Sequence, residues 1–286
     1  MTQPSSPPPP PPPSAPETGR ITEEGLARLR ATIGIAVPHT RPPHYFRPNE
    51  DSFRHVAESY GDANPLWCDP EYAAKSVWGE SVAPPALVGG DTLIGEDEVT
   101  ALSDEDRALT KGDPLRGVHA FYASSSREWW APLRANHRVF RRNALVAALD
   151  KSSEFAGRAV HEWSAQVFRD DGGVILGGQY RNMIRTERSK ARGAKKYDDV
   201  ELKTWSEDEI AEIDERYARE APRGAEPRWW EDVGEGDAVG PLTKGPLTVT
   251  DMVCWHVGMG TGMYGVRPLA LAWRNRQRIP RFYTPN

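Results

Sequence analysis

The chain has 286 residues, 38% of them apolar and 27% charged, with a formal net charge of −5. That length suits one large domain or two small ones, and the acidic balance argues against nucleic acid as a partner. No apolar run approaches the ~20 residues needed to cross a bilayer, so no membrane partner is expected.

The N-terminal MTQPSSPPPPPPPSAPETG has neither a basic region nor an apolar core and does not read as a signal peptide. A soluble cytoplasmic protein is the expectation. Its two cysteines, Cys68 and Cys254, lie far apart without metal-ligand spacing, and they read as free thiols with no metal expected. The proline run over 7–13 favours an extended polyproline helix and cannot build a core. It reads as a solvated tail, with docking to an aromatic groove on a partner as the other reading. Tail and first helix together span 1–37. That helix, ITEEGLARLRATIG, ends at Gly34.

The segment RPPHYFRPNEDSFRHVAESYGD reads as an extended lead-in to a helix. Asn49 or Asp51 supplies its N-cap, and Phe53, Val56, Ala57 and Tyr60 form one apolar stripe at helical spacing. SVAPPALVGGDTLIG predicts a further helix starting at Pro85, where a missing N–H costs nothing. Beyond Gly117 the composition turns to strands, predicted over 117–125, 126–133, 137–140, 154–169 and 174–186. Asp170-Asp171-Gly172-Gly173 forms the hairpin turn between the last two. Helices followed by antiparallel strands predict an α+β fold, a helix laid against one curled sheet, over 38–187.

Residues 188–228 are charged and read as a linker. Within it Ser206 and Glu209 have capping-box spacing, with Ile210, Ile213 and Tyr217 on one face of a surface helix. The basic RSKARGAKK reads as a solvated run, with phosphate attraction as the alternative. From 229 to 286 a second unit begins. Its PLTVTDMVCWHVGMG parallels YFRPNEDSFRHVAESYG in having an extended lead-in, a cap, a short helix and a glycine exit, which makes a weak internal repeat. No strand-rich half follows, so this unit is incomplete and cannot close a core of comparable size.

The densest string of chemical groups is GDANPLWCDPEYA, which sets Asp62 and Asn64 two apart and Trp67 and Asp69 just beyond a proline. Asp62 reads either as a site acid or as a turn cap. Asp69-Pro70 reads as the N-cap of EYAAKS more readily than as a second carboxylate. With its order of helix, G-D-x-N-P…D-P-x-Y-A string, VAPPALVGG and strand-rich half, the chain over roughly 40–187 resembles the MaoC-like hydratase/dehydratases. Within that hot-dog superfamily it is most similar to the FAS1-like dehydratase N-terminal domain.

The resemblance implies a hot-dog fold, an antiparallel sheet wrapped on a central helix, with a partial second hot-dog-like unit. It also implies a lyase that adds water across an enoyl thioester or dehydrates a 3-hydroxyacyl thioester, in lipid metabolism. CoA or a carrier thioester would be part of the substrate, with no separate cofactor. The expected partners are an acyl-CoA or acyl-carrier thioester and a catalytic hot-dog subunit or homodimer mate. Water must be deprotonated by a converging carboxylate and imidazole, and the thioester carbonyl polarised by a backbone N–H.

Asp62 matches the family's acid and Asn64 its orienting amide. Its histidine, however, falls at Trp67, whose indole N–H donates but takes no proton, and its oxyanion glycine falls at Pro85, which has no N–H. His256, on the helix of the second unit, is the candidate replacement base. His119 and His161 read as structural. Trp67, Pro85, Trp78, Trp129 and Trp130 are the expected substrate-binding wall. Arg127, Arg134, Arg138, Arg141 and Arg142 are either candidates for CoA phosphates or a surface charge run. Two readings stay open: a subunit contributing the acyl pocket to a hydratase or dehydratase, and a non-catalytic hot-dog subunit that binds acyl thioesters or stabilises an active paralogue.

Overall fold

The computed structural model describes residues 19–38, 43–88, 95–153, 157–187, 201, 203–221, 224, 226–240 and 242–259. The proline run, the basic RSKARGAKK and the chain beyond residue 259 lie outside the described residues.

The first helix, α1 (Glu23–Arg30), is capped by Thr22, whose hydroxyl accepts from the Gly25 N–H at 3.0 Å. Leu26 and Leu29 point inward to join Ile21, Leu115, Val118, Ala148 and Val160 in one apolar cluster. Gly25 must be glycine because a Cβ there would stand 2.9 Å from the Pro114 carbonyl oxygen. Helix α2 (Glu50–Ser59) opens on Asn49 in a reciprocal capping box with Ser52, which decides the cap between Asn49 and Asp51. Phe53, Val56 and Ala57 are fully buried, as the apolar stripe predicts, and Phe53 and Val56 enter a second cluster with Leu87, Val139, Phe168 and Leu176.

Two short helices follow, α3 (Pro65–Cys68) and α4 (Pro70–Ala74), each with proline in the first turn and a side-chain cap from Asn64 or Asp69. The helix expected from Pro85 is shorter than predicted. A single 3-10 turn covers Pro85–Leu87, and 89–94 lie outside the described residues. Pro84 and Pro85 hold the backbone but supply no donor, which favours one tight turn. Helix α5 (Asp104–Leu109) had no counterpart in the sequence reading.

The sheet has five strands in the order β1-β3-β4-β5-β2. The strands are β1 (Glu96–Asp97), β2 (His119–Trp129), β3 (Val139–Ser153), β4 (Gly157–Asp170) and β5 (Ile175–Thr186). β1 runs parallel to β3; every other pair is antiparallel. The segments predicted at 117–125 and 126–133 join into one strand, and the one predicted at 137–140 continues to Ser153. Register explains both, since long partners carry the ladder through residues of weak β-propensity. At the β4–β5 turn the Asp170 carboxylate accepts from the Val174 N–H at 2.8 Å, and Gly173 takes φ +86°.

Directly opposed residues share a face. The row Arg141, Phe168, Gly177 and Trp129 therefore lies on the core side, as does Val160 further along β4. β2 has β5 as a neighbour on one side only among the described strands, and most of its residues are exposed.

Helix α6 (Glu207–Arg219) has the Ser206–Glu209 capping box that the spacing predicts. Helix α7 (Val249–Gly258), from the second unit, opens on a Thr248–Asp251 box of the same kind as Asn49–Ser52. It docks on α2: the Tyr60 and Trp255 rings meet edge to face at 6.0 Å, and Met259 is fully buried in the core cluster of α2. Met259, just past the end of α7, thus joins the core cluster of α2.

Candidate active site

Asp62 follows directly on the exit of α2. Its peptide N–H donates to the Ala57 carbonyl at 3.0 Å, and its carboxylate accepts from the Asn64 N–H at 3.0 Å. Asn64 in turn accepts from the Leu66 N–H at 3.0 Å. Each of the two side chains therefore holds a backbone amide, a pair of nested turns that winds the chain into α3. The Tyr60 phenol is pushed above its ordinary range by burial first, and then by the charge of Asp62 and a hydrogen bond to it. Burial likewise raises the Cys68 thiol, with Asp62 and Glu58 adding to the shift. Asp62 thus sits half-buried beside a neutral phenol and a neutral thiol, with no imidazole among these neighbours.

Trp67 and its companions converge elsewhere. A cavity of about 260 Å³ is lined by Trp67, Trp78, Pro85, Trp129 and Trp130, the whole set of expected wall residues, together with Leu66, Val82, Val88 and Leu133. Four separate elements bring them together: α3 carries Trp67, the loop after α4 carries Trp78, the 3-10 turn carries Pro85, and the end of β2 with the residue after it carries Trp129 and Trp130. The Trp129 indole N–H donates to both the Pro85 carbonyl at 2.7 Å and the Val88 carbonyl at 3.0 Å, fixing the 3-10 turn against the sheet. The Trp67 indole N–H is buried and has no acceptor among the described residues. Asp62 and Asn64 stand outside this lining. His256 lies half-buried on α7, and it too is outside the lining.

Of the five arginines considered for phosphates, three are engaged by carboxylates. Arg134 pairs with Glu80, Arg138 with Glu96, and Arg141 with Asp97 at 3.0 Å, the last almost fully buried. Arg142 is exposed. Arg127 is half-buried on the core side of β2, not on a surface charge run. No group of three or more His, Cys, Asp or Glu among the described residues is placed to hold a metal. No helix among them is long and apolar enough to cross a membrane.

Comparison with known proteins places the architecture. No family model matches the chain. A UPF0336 protein of Streptomyces avermitilis is 23% identical over 151 residues, 53% of this chain and 91% of its own. The solved structure of a MaoC-like dehydratase superposes with a TM-score of 0.50 at 15% identity, covering 85% of this chain and 71% of that one. The crystal structure of the ChsH1-ChsH2 complex from Mycobacterium tuberculosis is similar over 57% of this chain and 95% of its own, at 18% identity and a TM-score of 0.43. The chain has the α+β hot-dog fold of the MaoC-like dehydratases.

Proposed function

We propose that the chain is a subunit of an enoyl-thioester hydratase or 3-hydroxyacyl-thioester dehydratase, and that its part is the acyl pocket. The observation that carries this reading is the tryptophan-walled cavity between α3 and the end of β2. At about 260 Å³ it suits an acyl chain better than a whole nucleotide thioester. Its aromatic walls offer large apolar area to a bulky or aromatic acyl group.

Hydration needs a base to take a proton from water as its oxygen bonds the β-carbon. It also needs a donor for the carbonyl oxygen that gains charge, and a proton for the α-carbon. In this reading the Trp67 indole N–H, buried without an acceptor among the described residues, takes the donor's part that the proline at 85 cannot fill. Asp62 is the acid, with Asn64 orienting it. The base comes from a second hot-dog subunit or, within this chain, from His256. The second reading, a non-catalytic subunit that binds acyl thioesters or stabilises an active paralogue, is favoured by the tryptophan at position 67.

A hydration assay over a panel of 2-enoyl-CoAs, with and without a co-purifying partner, separates the two. Turnover by the chain alone, lost in Asp62→Asn, makes Asp62 a catalytic residue and places the base within this chain. Turnover only with the partner and indifferent to Asp62 makes this chain the pocket-forming half. Acyl-CoA binding without turnover in either setting leaves the binding reading.

A further inference from the structure

On the core side of the sheet, two residues along from the cavity wall, a group of hydrogen-bond donors has no acceptor. Arg127 on β2 is directly opposite Gln179 on β5, and Ser125 directly opposite Arg181. Arg127, Gln179 and Arg181 therefore lie on one face as a diagonal cluster of neighbours. Gln179 is only 4% exposed. The Arg127 Nε, Gln179 Nε2 and Arg181 Nε atoms are all buried, and none has a hydrogen-bond partner among the described residues.

Three buried donor nitrogens without acceptors are costly, because they have lost their water. On the same face Glu162 pairs with Arg185, its Oε1 3.3 Å from the guanidinium though without a hydrogen bond. Burial pushes Glu162 up, toward its neutral form, against the opposing charges of Arg185 and Arg181. Arg185 pairs with both Glu162 and Asp113, and Arg127 and Arg181 lie further along the same face. On the β2 side the patch is open, since Ser125 is exposed. Trp129, on the same face, stands roughly 7 Å from Arg127 along the strand, at two residues of about 3.3 Å rise.

We propose that Arg127, Gln179 and Arg181 form an oxyanion site that takes a carboxylate or phosphate group entering past the β2 edge. Guanidinium N–H groups match the paired oxygens of such a group, and the Gln179 amide supplies a third donor. The site stands on the register of β2 and β5 and does not depend on the acyl-pocket reading.

The test is isothermal titration of the full chain with inorganic phosphate and, separately, with glutarate. Saturable binding of at least one probe is expected, weakened about tenfold or more in Arg127→Gln and in Arg181→Gln, each of which removes a charge-assisted contact. The exposed Arg142→Gln is the control and leaves binding unchanged. Preference for phosphate over glutarate identifies a phosphate group as the natural occupant, and the reverse identifies a carboxylate. No saturable binding of either probe by the parent chain overturns the proposal, as does an equal loss in the Arg142 control.

Discussion

Trp129 and Pro85, 44 residues apart in sequence, are joined by an indole N–H donating to a backbone carbonyl at 2.7 Å. The same N–H reaches the Val88 carbonyl at 3.0 Å. Through this shared bond the end of β2 and the 3-10 turn become one wall of the tryptophan-lined cavity. Because Trp129 is 47% exposed, water can take over part of its hydrogen bonding. Trp129→Phe keeps the ring and deletes the donor, and should cost about 1 kcal/mol of stability in denaturant unfolding. The larger effect should be on the cavity: an acyl-CoA that binds there should lose affinity in Trp129→Phe, while Trp205→Phe, outside the cavity lining, leaves it unchanged.

Helices α2 and α7 touch backbone to side chain at Gly258. A Cβ at that position would lie 2.0 Å from the Cβ of Ser59, so Gly258→Ala must push the helices apart and loosen Met259 in the core. Overpacking of this kind costs about 1–3 kcal/mol, read as a fall in the denaturation midpoint. Ser59→Gly in the same chain should recover part of it, since the two changes share one contact.

The Arg141–Asp97 pair is buried, with the arginine side chain 4% exposed, and it ties β1 to β3. Arg141→Met removes the cation from a buried carboxylate and should destabilise the fold by roughly 3 kcal/mol or more. Arg142→Met, one residue along on the exposed side, should shift unfolding by less than about 0.5 kcal/mol.

Glu162 gives a pH signature. Its carboxyl is raised above the ordinary 4.5, chiefly by burial. A folded-state value above the unfolded one means that its favourable contribution is complete below pH 4.5 and fades as pH rises through the raised value. Glu162→Gln removes that dependence. Stability measured from pH 4 to 8 should therefore fall less steeply with rising pH in the variant than in the parent, and a parallel pair of curves would contradict the assignment.

Asp62 holds the Tyr60 phenol up through its charge and a hydrogen bond, in addition to the burial that comes first. In Asp62→Asn the phenol should ionise at lower pH than in the parent, seen in the alkaline phenolate absorbance with Tyr60→Phe as the blank.

Local chemistry was legible in the sequence by itself. The Ser206–Glu209 capping box, the Asp69-Pro70 start of α4, the Asp170–Gly173 turn and the apolar stripe of α2 each depend on residues within one or two turns of each other, whereas α3 fell where a loop was expected. The G-D-x-N-P string likewise pointed to a hot-dog frame. The tertiary structure decided what depends on register and distance. It joined β2 into one strand and shortened the helix at Pro85 to a single turn. It also buried Arg141 against Asp97, where the sequence left that arginine as either a phosphate ligand or part of a surface charge run. Gln179 and Arg181 carried no sequence signal, because the strand holding them mixes polar and apolar residues on both faces and only its pairing with β2 sets Arg127 beside them. Long-range pairing is fixed by the sum of many weak contacts, and no single stretch of the chain contains that sum.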